Sequence, residues 1–181
     1  LLARRDTAVL ALLGSGVQAA SHLEALRLVR EFREVRVWSP RHASAFAARH
    51  GARAVDTAEA AARGADVIVV ATSSRTPVLR GEWVARGAHV NAVGACRPDW
   101  RELDDDLVRR ARLYVDSRAA AVRESGDVLA AGEPFAELGE AVAGTRPGRE
   151  SAEDITLFKS VGVAVEDVVS AELVYRRSQG G

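Results

Sequence analysis

Two rhythms of apolar and polar residues run along this chain. The run Val9 to Leu13 is continuously apolar and stops at Gly14, which predicts a short buried strand. From Val17 to Glu31 the apolar residues Val17, Ala20, Leu23, Leu26 and Val29 recur at helical spacing. Val35 to Trp38 reads as a second strand and the Ala-rich stretch Ala43 to His50 as a helix. Ala54 and Val55 read as a short strand, and Ala58 to Arg63 as a helix. Asp66 to Ala71 is a near-continuous β-branched run, as expected of a parallel strand covered on both faces. His89 to Val93 and Leu113 to Asp116 are further strands, the latter after a helix over Leu107 to Ala111. Gly126 to Thr145 reads as helical pieces, and Thr145 to Glu153, with Pro147 and Gly148, as a loop. Ile155 to Lys159 closes the series of strands and Val163 to Tyr175 the series of helices.

Strands that alternate with helices predict an α/β fold: a doubly wound parallel sheet of the Rossmann type with helices on both faces. No repeat, low-complexity tract or internal linker interrupts it. The 181 residues, 48% hydrophobic, are enough for one domain with a substantial core. Lys plus Arg balance Asp plus Glu at 25 each, so charge gives no reason to expect nucleic acid or an anionic membrane as partner. A lone cysteine cannot form an internal disulfide, and no apolar run reaches the ~18 residues of a membrane span. The opening LLARRDT lacks the features of a secretory signal, so the expected location is cytoplasmic. The chain has no methionine and begins at Leu1, which predicts a fragment whose N-terminal part is missing.

The stretch Gly14-Ser15-Gly16-Val17-Gln18-Ala19 is G-x-G-x-x-A between a predicted strand and a predicted helix. In that context Gly14 allows a tight turn, Gly16 lets a pyrophosphate approach the backbone, and Ala19 lets helix and strand pack closely. The helix start then offers free N–H groups and partial positive charge to phosphates. A glycine turn without a ligand is the plain alternative. The end of the second strand chooses the nucleotide. No acid stands between Val35 and Val55 to hold a ribose 2′-hydroxyl; Ser39 and Arg41 are there instead. A hydroxyl and a cation suit a 2′-phosphate, hence NADPH rather than NADH, although Arg41 also reads as a solvated residue at a helix start.

In the second half, Asn91, Val93 and Gly94 end a strand at the edge that faces ligands in open α/β sheets. Arg97 follows, and its planar fork suits a substrate carboxylate. Cys96 beside it has no adjacent base and reads as a small packing or pocket residue. Glu124, in Glu124-Ser125-Gly126-Asp127, is placed to orient a substrate nitrogen or to serve as a cap. Asp104 to Asp106 reads as a helix start, where acids favour the dipole. The four histidines, His22, His42, His50 and His89, have no metal-ligand spacing, so no metal is expected.

The segments LLGSGVQAASHLEAL, GADVIVVATSS, GAHVNAVGACRPDWRELDDDL, YVDSRAAAVRESGDVL and FKSVGVAVEDVVSAELVY together resemble the ornithine cyclodeaminase/mu-crystallin family, from about Val9 to the C-terminus. The resemblance implies a dinucleotide-binding domain over residues 1–160. It implies a second domain, built from an absent N-terminal half and a returning C-terminal helix over 161–181, which pairs the protein as a homodimer. It implies NADPH, with NADH as the other option, held by Gly14, Ser15, Gly16, Val17, Gln18, Ser39, Arg41, Ala71, Thr72, Val93 and Val161. Arg97 and Glu124 would be catalytic and, with Cys96, would line the substrate site. The implied activity is reduction of the C=N bond of cyclic ketimine carboxylates. Iodothyronine binding, alanine dehydrogenation and ornithine cyclodeamination are the alternatives. Two departures bear on this. Cyclodeaminases carry an aspartate at the position matching Cys96, so the cysteine points away from cyclodeamination. The W-S/N-R-T of the second strand end is shortened, which leaves Arg41 to substitute for the missing pair.

Overall fold

The computed structural model describes residues 1–179. Eight parallel strands form one sheet: β1 (Val9–Leu13), β2 (Glu34–Trp38), β3 (Arg53–Ala54), β4 (Val67–Val70), β5 (His89–Ala92), β6 (Arg112–Val115), β7 (Ala136–Glu137) and β8 (Thr156–Lys159). Their spatial order is β3-β2-β1-β4-β5-β8-β6-β7. The helices are α1 (Val17–Arg27), α2 (Ala43–His50), α3 (Ala58–Ala62), α4 (Asp105–Arg110), α5 (Arg118–Glu124), α6 (Gly126–Ala131), α7 (Leu138–Val142) and α8 (Ala164–Gln179). The doubly wound α/β expectation holds.

Strand periodicity divides the core. Leu10, Leu12, Val37, Val67 and Val69 face α1 and α2, where Ala19, Leu23, Phe46 and Ala47 meet them. Ala11, Leu13, Ile68, Val70, Val90, Leu113 and Leu157 face the other way, against Ala61, Leu107 and Val128. Both layers bury β1 and β4 completely, which is why these two read as continuous apolar runs. The N-terminal segment is stitched across one edge of the sheet. Asp66 accepts the N–H groups of Ala8 and Val9 at 2.8 and 2.9 Å and a bond from Arg4 at 2.6 Å.

Several expected boundaries move. The first helix ends at Arg27, not Glu31; Leu28 and Val29 are 88% and 63% exposed. The chain turns there because Arg33 and Glu34 must deliver their N–H groups to Ala8 at the start of β1. Asp66 precedes the strand expected to begin with it, its side chain capping the neighbouring strand instead. The segment expected as helical pieces from Gly126 contains β7, an edge strand of two residues, too short for period-two alternation to register. The last helix runs to Gln179 and buries none of its residues.

His89, at the start of β5, is buried between Thr156 Oγ1 at 2.9 Å and Asn91 Oδ1 at 3.1 Å. Burial pushes its pKa from the ordinary 6.5 down to about 4. The fold thus favours the neutral ring. The resulting stability is complete above the unfolded value of 6.5 and is lost as pH falls towards about 4. The loss amounts to about 3 kcal/mol at ~1.4 kcal/mol per unit. Urea midpoints measured from about pH 7.5 to about 4.5, across this titration, should fall for the unaltered chain and fall less for His89→Gln. Parallel curves would show that His89 does not titrate in this way.

Candidate functional site

The cleft lies where the winding reverses, between the C-terminal ends of β1 and β4, the position at which open α/β sheets take ligands. It encloses about 570 Å³, walled by the turn Gly14 to Gln18, by Trp38 to His42 at the end of β2, and by Ala71 to Ser74 after β4. The glycine turn, Ser39, Arg41, Ala71 and Thr72 thus line one cleft.

The two glycines of the turn have different causes. Gly14 adopts φ +118°, and a Cβ there would run into the Ala71 carbonyl. Its N–H donates to Trp38 O at 2.9 Å, tying β1 to β2 at the mouth of the cleft. Gly16 has φ −87°, open to any residue, and a Cβ on it would meet nothing within 4 Å. Neither conformation nor protein packing asks for glycine there. Gly16 is also the N-cap of α1, which has no side-chain cap and no acid in its first turn. By contrast α3, α4, α5 and α6 are capped by Thr57, Asp104, Ser117 and Ser125. The N–H groups at the start of α1 therefore have no side-chain acceptor, and the helix dipole favours an anion there. Val17, read from periodicity as part of the apolar helix face, is 83% exposed and lines the cleft.

Ser39 Oγ bonds Ser15 Oγ at 2.9 Å and accepts the His42 N–H at 3.1 Å, joining the glycine turn to the end of β2. Arg41 and His42 line this end, both exposed, and among the described residues no carboxylate lines the cleft.

Next to the cleft, buried carboxylates hold the strand ends, a role missed in the sequence. Glu102 Oε1 accepts from Thr72 N at 2.7 Å and Thr72 Oγ1 at 2.6 Å; Oε2 accepts from Gly94 N at 2.7 Å and Ala95 N at 3.1 Å. The ends of β4 and β5 approach so closely that a Cβ on Gly94 would collide with Thr72 O and the Glu102 carboxylate. Asp127 Oδ1 in turn accepts from Glu102 N at 3.0 Å, Leu103 N at 3.1 Å and Arg101 Nε at 3.2 Å. Burial pushes both carboxyls up, while Lys159 and the donated bonds pull them back. At the end of β6, Asp116 Oδ2 accepts from Ser160 Oγ, Val161 N and Gly162 N at 2.9, 2.8 and 2.6 Å and shapes the turn after β8. For Asp116 the available signal was a charged side chain directly after an apolar strand; Glu102, in a loop, and Asp127, in the first turn of α6, carried no such signal.

The remaining predicted residues share this edge but not the cleft walls. Val93 and Val161, half-buried, follow β5 and β8 and are absent from the lining. Arg97 and Cys96 are exposed on the loop after β5, so core packing is not the role of Cys96. The Arg97 guanidinium lies 5.0 Å from the Trp100 ring centroid and that of Arg75 lies 5.5 Å from it. Glu124 is exposed at the end of α5. The Gly126 N–H donates to Arg97 O at 3.1 Å, so the Arg97 loop and the segment after Glu124 are joined. Neither Arg97 nor Glu124 makes an ion pair among the described residues. Both charges remain available at the ligand edge. Asp104 to Asp106 starts α4 as expected, Asp104 Oδ1 accepting from Leu107 N at 2.9 Å.

A larger recess of about 790 Å³ lies at the opposite edge, by the start of β6 and β8. Its arginines are committed: Arg86 to Glu153 at 2.8 Å, Arg110 to Asp106 at 2.8 Å, and Arg112 to Glu150 and Asp154. Among the described residues no uncapped helix start lines it.

The sequence profile of the ornithine cyclodeaminase/mu-crystallin family matches residues 1–181. The mouse ketimine reductase mu-crystallin is 53% identical over 172 residues, 92% of this chain and 54% of its own length. The Thermococcus litoralis Δ1-pyrroline-2-carboxylate reductase, solved with NADH and L-proline, superposes with TM-score 0.91 at 39% identity, covering 99% of this chain and 60% of that one. An archaeal alanine dehydrogenase dimer with bound NAD superposes with TM-score 0.90 at 37% identity, covering 99% and 60%. The chain therefore spans about half the length of the mouse relative.

The contrast between the two glycines is measurable by chemical denaturation. Gly14→Ala forces a strained φ and a collision with Ala71 O, and should cost roughly 3 kcal/mol. Gly16→Ala should change stability by no more than about 1 kcal/mol. A large loss at Gly16 would mean that the protein's own packing requires it.

Proposed function

The chain belongs to the ornithine cyclodeaminase/mu-crystallin family, and on that premise we propose that it forms the dinucleotide-binding part of an NADPH-dependent reductase of cyclic ketimine carboxylates. Gly16 carries this reading: a glycine that the protein's own conformation and packing do not require, at an uncapped helix start. The cleft residues fit a dinucleotide. The N–H groups of the α1 start and Ser15 would hold the pyrophosphate. Ser39 and Arg41 would hold a 2′-phosphate, which the absence of a carboxylate from the cleft favours. The relatives solved with NADH and NAD support a nicotinamide cofactor; the preference for NADPH rests on this chain's own residues.

When bound, the dihydronicotinamide supplies a hydride to the imine carbon. This chain's residues position the reactants and manage charge. Arg97 would hold the substrate carboxylate by its planar fork. Glu124 would face the imine nitrogen, accepting its hydrogen bond directly or through water. A protonated imine is already electrophilic, so orientation and charge stabilisation are the main contributions. Cys96 would border the substrate without taking part in proton transfer. The amine product keeps the nitrogen proton and the delivered hydride on carbon.

An iodothyronine, also a carboxylate, would enter the same substrate site and compete with the imine. The unburied α8 carries exposed Val165, Val168, Val169 and Leu173. We read residues 161–181 as the arm that joins a second, dimer-forming domain and residues 1–160 as the cofactor domain. The lone cysteine suits a reducing, cytoplasmic location; among the described residues no helix is long and apolar enough to cross a membrane.

Titration calorimetry with NADPH and NADH tests the cofactor. NADPH should bind about tenfold tighter, and Arg41→Ala should remove that difference. Gly16→Ala should weaken both dinucleotides while the fold is kept. Equal affinities would sink the 2′-phosphate assignment.

A further inference from the structure

Lys159 ends β8 and is completely buried. It follows Leu157 by two residues and shares its face of the sheet, towards α4 and α6. In the ladder it stands opposite Ala92 of β5 on one side and Val115 of β6 on the other. Its ammonium donates to Ala92 O at 3.3 Å and Ser160 O at 3.0 Å. The Ala92 carbonyl already accepts the Ser160 N–H at 3.1 Å, so the ladder does not need the ammonium. Taking a cation out of water is expensive unless it answers a buried charge.

Two buried carboxylates supply that charge. The carboxylates of Glu102 and Asp127 are both fully buried on this side of the sheet, and Asp127 Oδ2 has no hydrogen-bond partner among the described residues. Burial pushes the Lys159 ammonium down, while Asp127, Glu102, Cys96 and Asp116 oppose it, in that order. The position of Lys159 has a mechanical consequence. On one side, β5 leads into Val93, Gly94 and Ala95, held by Glu102. On the other, β8 leads into Ser160, Val161 and Gly162, held by Asp116. On the proposed reading these two turns would border the nicotinamide end of the site, and Lys159 stands between them.

We propose that Lys159 is a positioning residue: its ammonium draws the Ala92 and Ser160 carbonyls together across β5 and β8, balances the Glu102 and Asp127 carboxylates, and so sets the spacing of the two turns that would receive the nicotinamide ring. It touches neither substrate nor reacting atoms. The inference rests on the dinucleotide reading above. It adds that one end of the dinucleotide, and not the other, depends on a buried charge balance.

The test separates the two ends of the ligand. The full chain is titrated with whichever of NADPH and NADH binds tighter, and with the matching ADP-ribose, with or without 2′-phosphate, which lacks nicotinamide. Lys159→Met should weaken the dinucleotide about tenfold and leave the ADP-ribose within about twofold. Adding Asp127→Asn removes one carboxylate charge, keeps an Oδ1 acceptor for Glu102 and Leu103, and should recover most of the loss. If Lys159→Met does not fold, Lys159→Arg keeps the charge but not the ammonium geometry, and the same selective weakening is expected. Equal loss for both ligands in the variant that folds would assign Lys159 a merely structural role and overturn the proposal. So would an unchanged dinucleotide affinity, or no recovery in the double variant. An unaltered chain that binds neither ligand would overturn the dinucleotide reading itself, and this inference with it.

Discussion

The Glu102 carboxylate is the interaction on which the ligand edge of this molecule depends. Where parallel strands end, their backbone N–H groups lose ladder partners and the chains diverge into loops. Here one buried carboxylate accepts from Thr72 after β4 and from Gly94 and Ala95 after β5, holding two diverging loops at a fixed separation. It is itself held through its own N–H by Asp127. Breaking one member leaves others buried and unsatisfied, so the arrangement is rigid because its alternatives are costly.

The same device recurs around the sheet. Asp66 gathers the N–H groups of Ala8 and Val9 at the start of β1, and Asp116 gathers those of Val161 and Gly162 beyond β8. Acidic side chains thus serve as backbone acceptors at several strand ends. The cleft differs, for among the described residues no acid lines it and the start of α1 is left uncapped. A chain of zero net charge therefore still presents a local site suited to phosphate, because its carboxylates are spent elsewhere.

This division also explains the contrast between the two glycines of the turn. Gly14 answers to the protein, through φ and the Ala71 carbonyl, and belongs to the fold. Gly16 faces open space, and neither its conformation nor the protein's packing requires a glycine there. Both appear in the same motif, and only the surroundings of each Cβ position separate them.

The alternation of apolar runs and helical stripes was enough to determine the α/β class, most of the strands, the glycine turn and the residues at the end of β2. These are local consequences of burial period and backbone chemistry. The motif segments carried the family. What only the tertiary structure decided are the long-range partnerships. Glu102 stands thirty positions from Thr72, and Asp116 forty-six from Gly162, separations across which no periodicity operates. The edge strand β7 is too short to carry a pattern, and Val17 is turned outward by the cleft although its spacing matches the buried stripe. Lys159 ends the last strand run and nothing local marks it as buried; the folded chain encloses it and sets its ammonium on the Ala92 and Ser160 carbonyls.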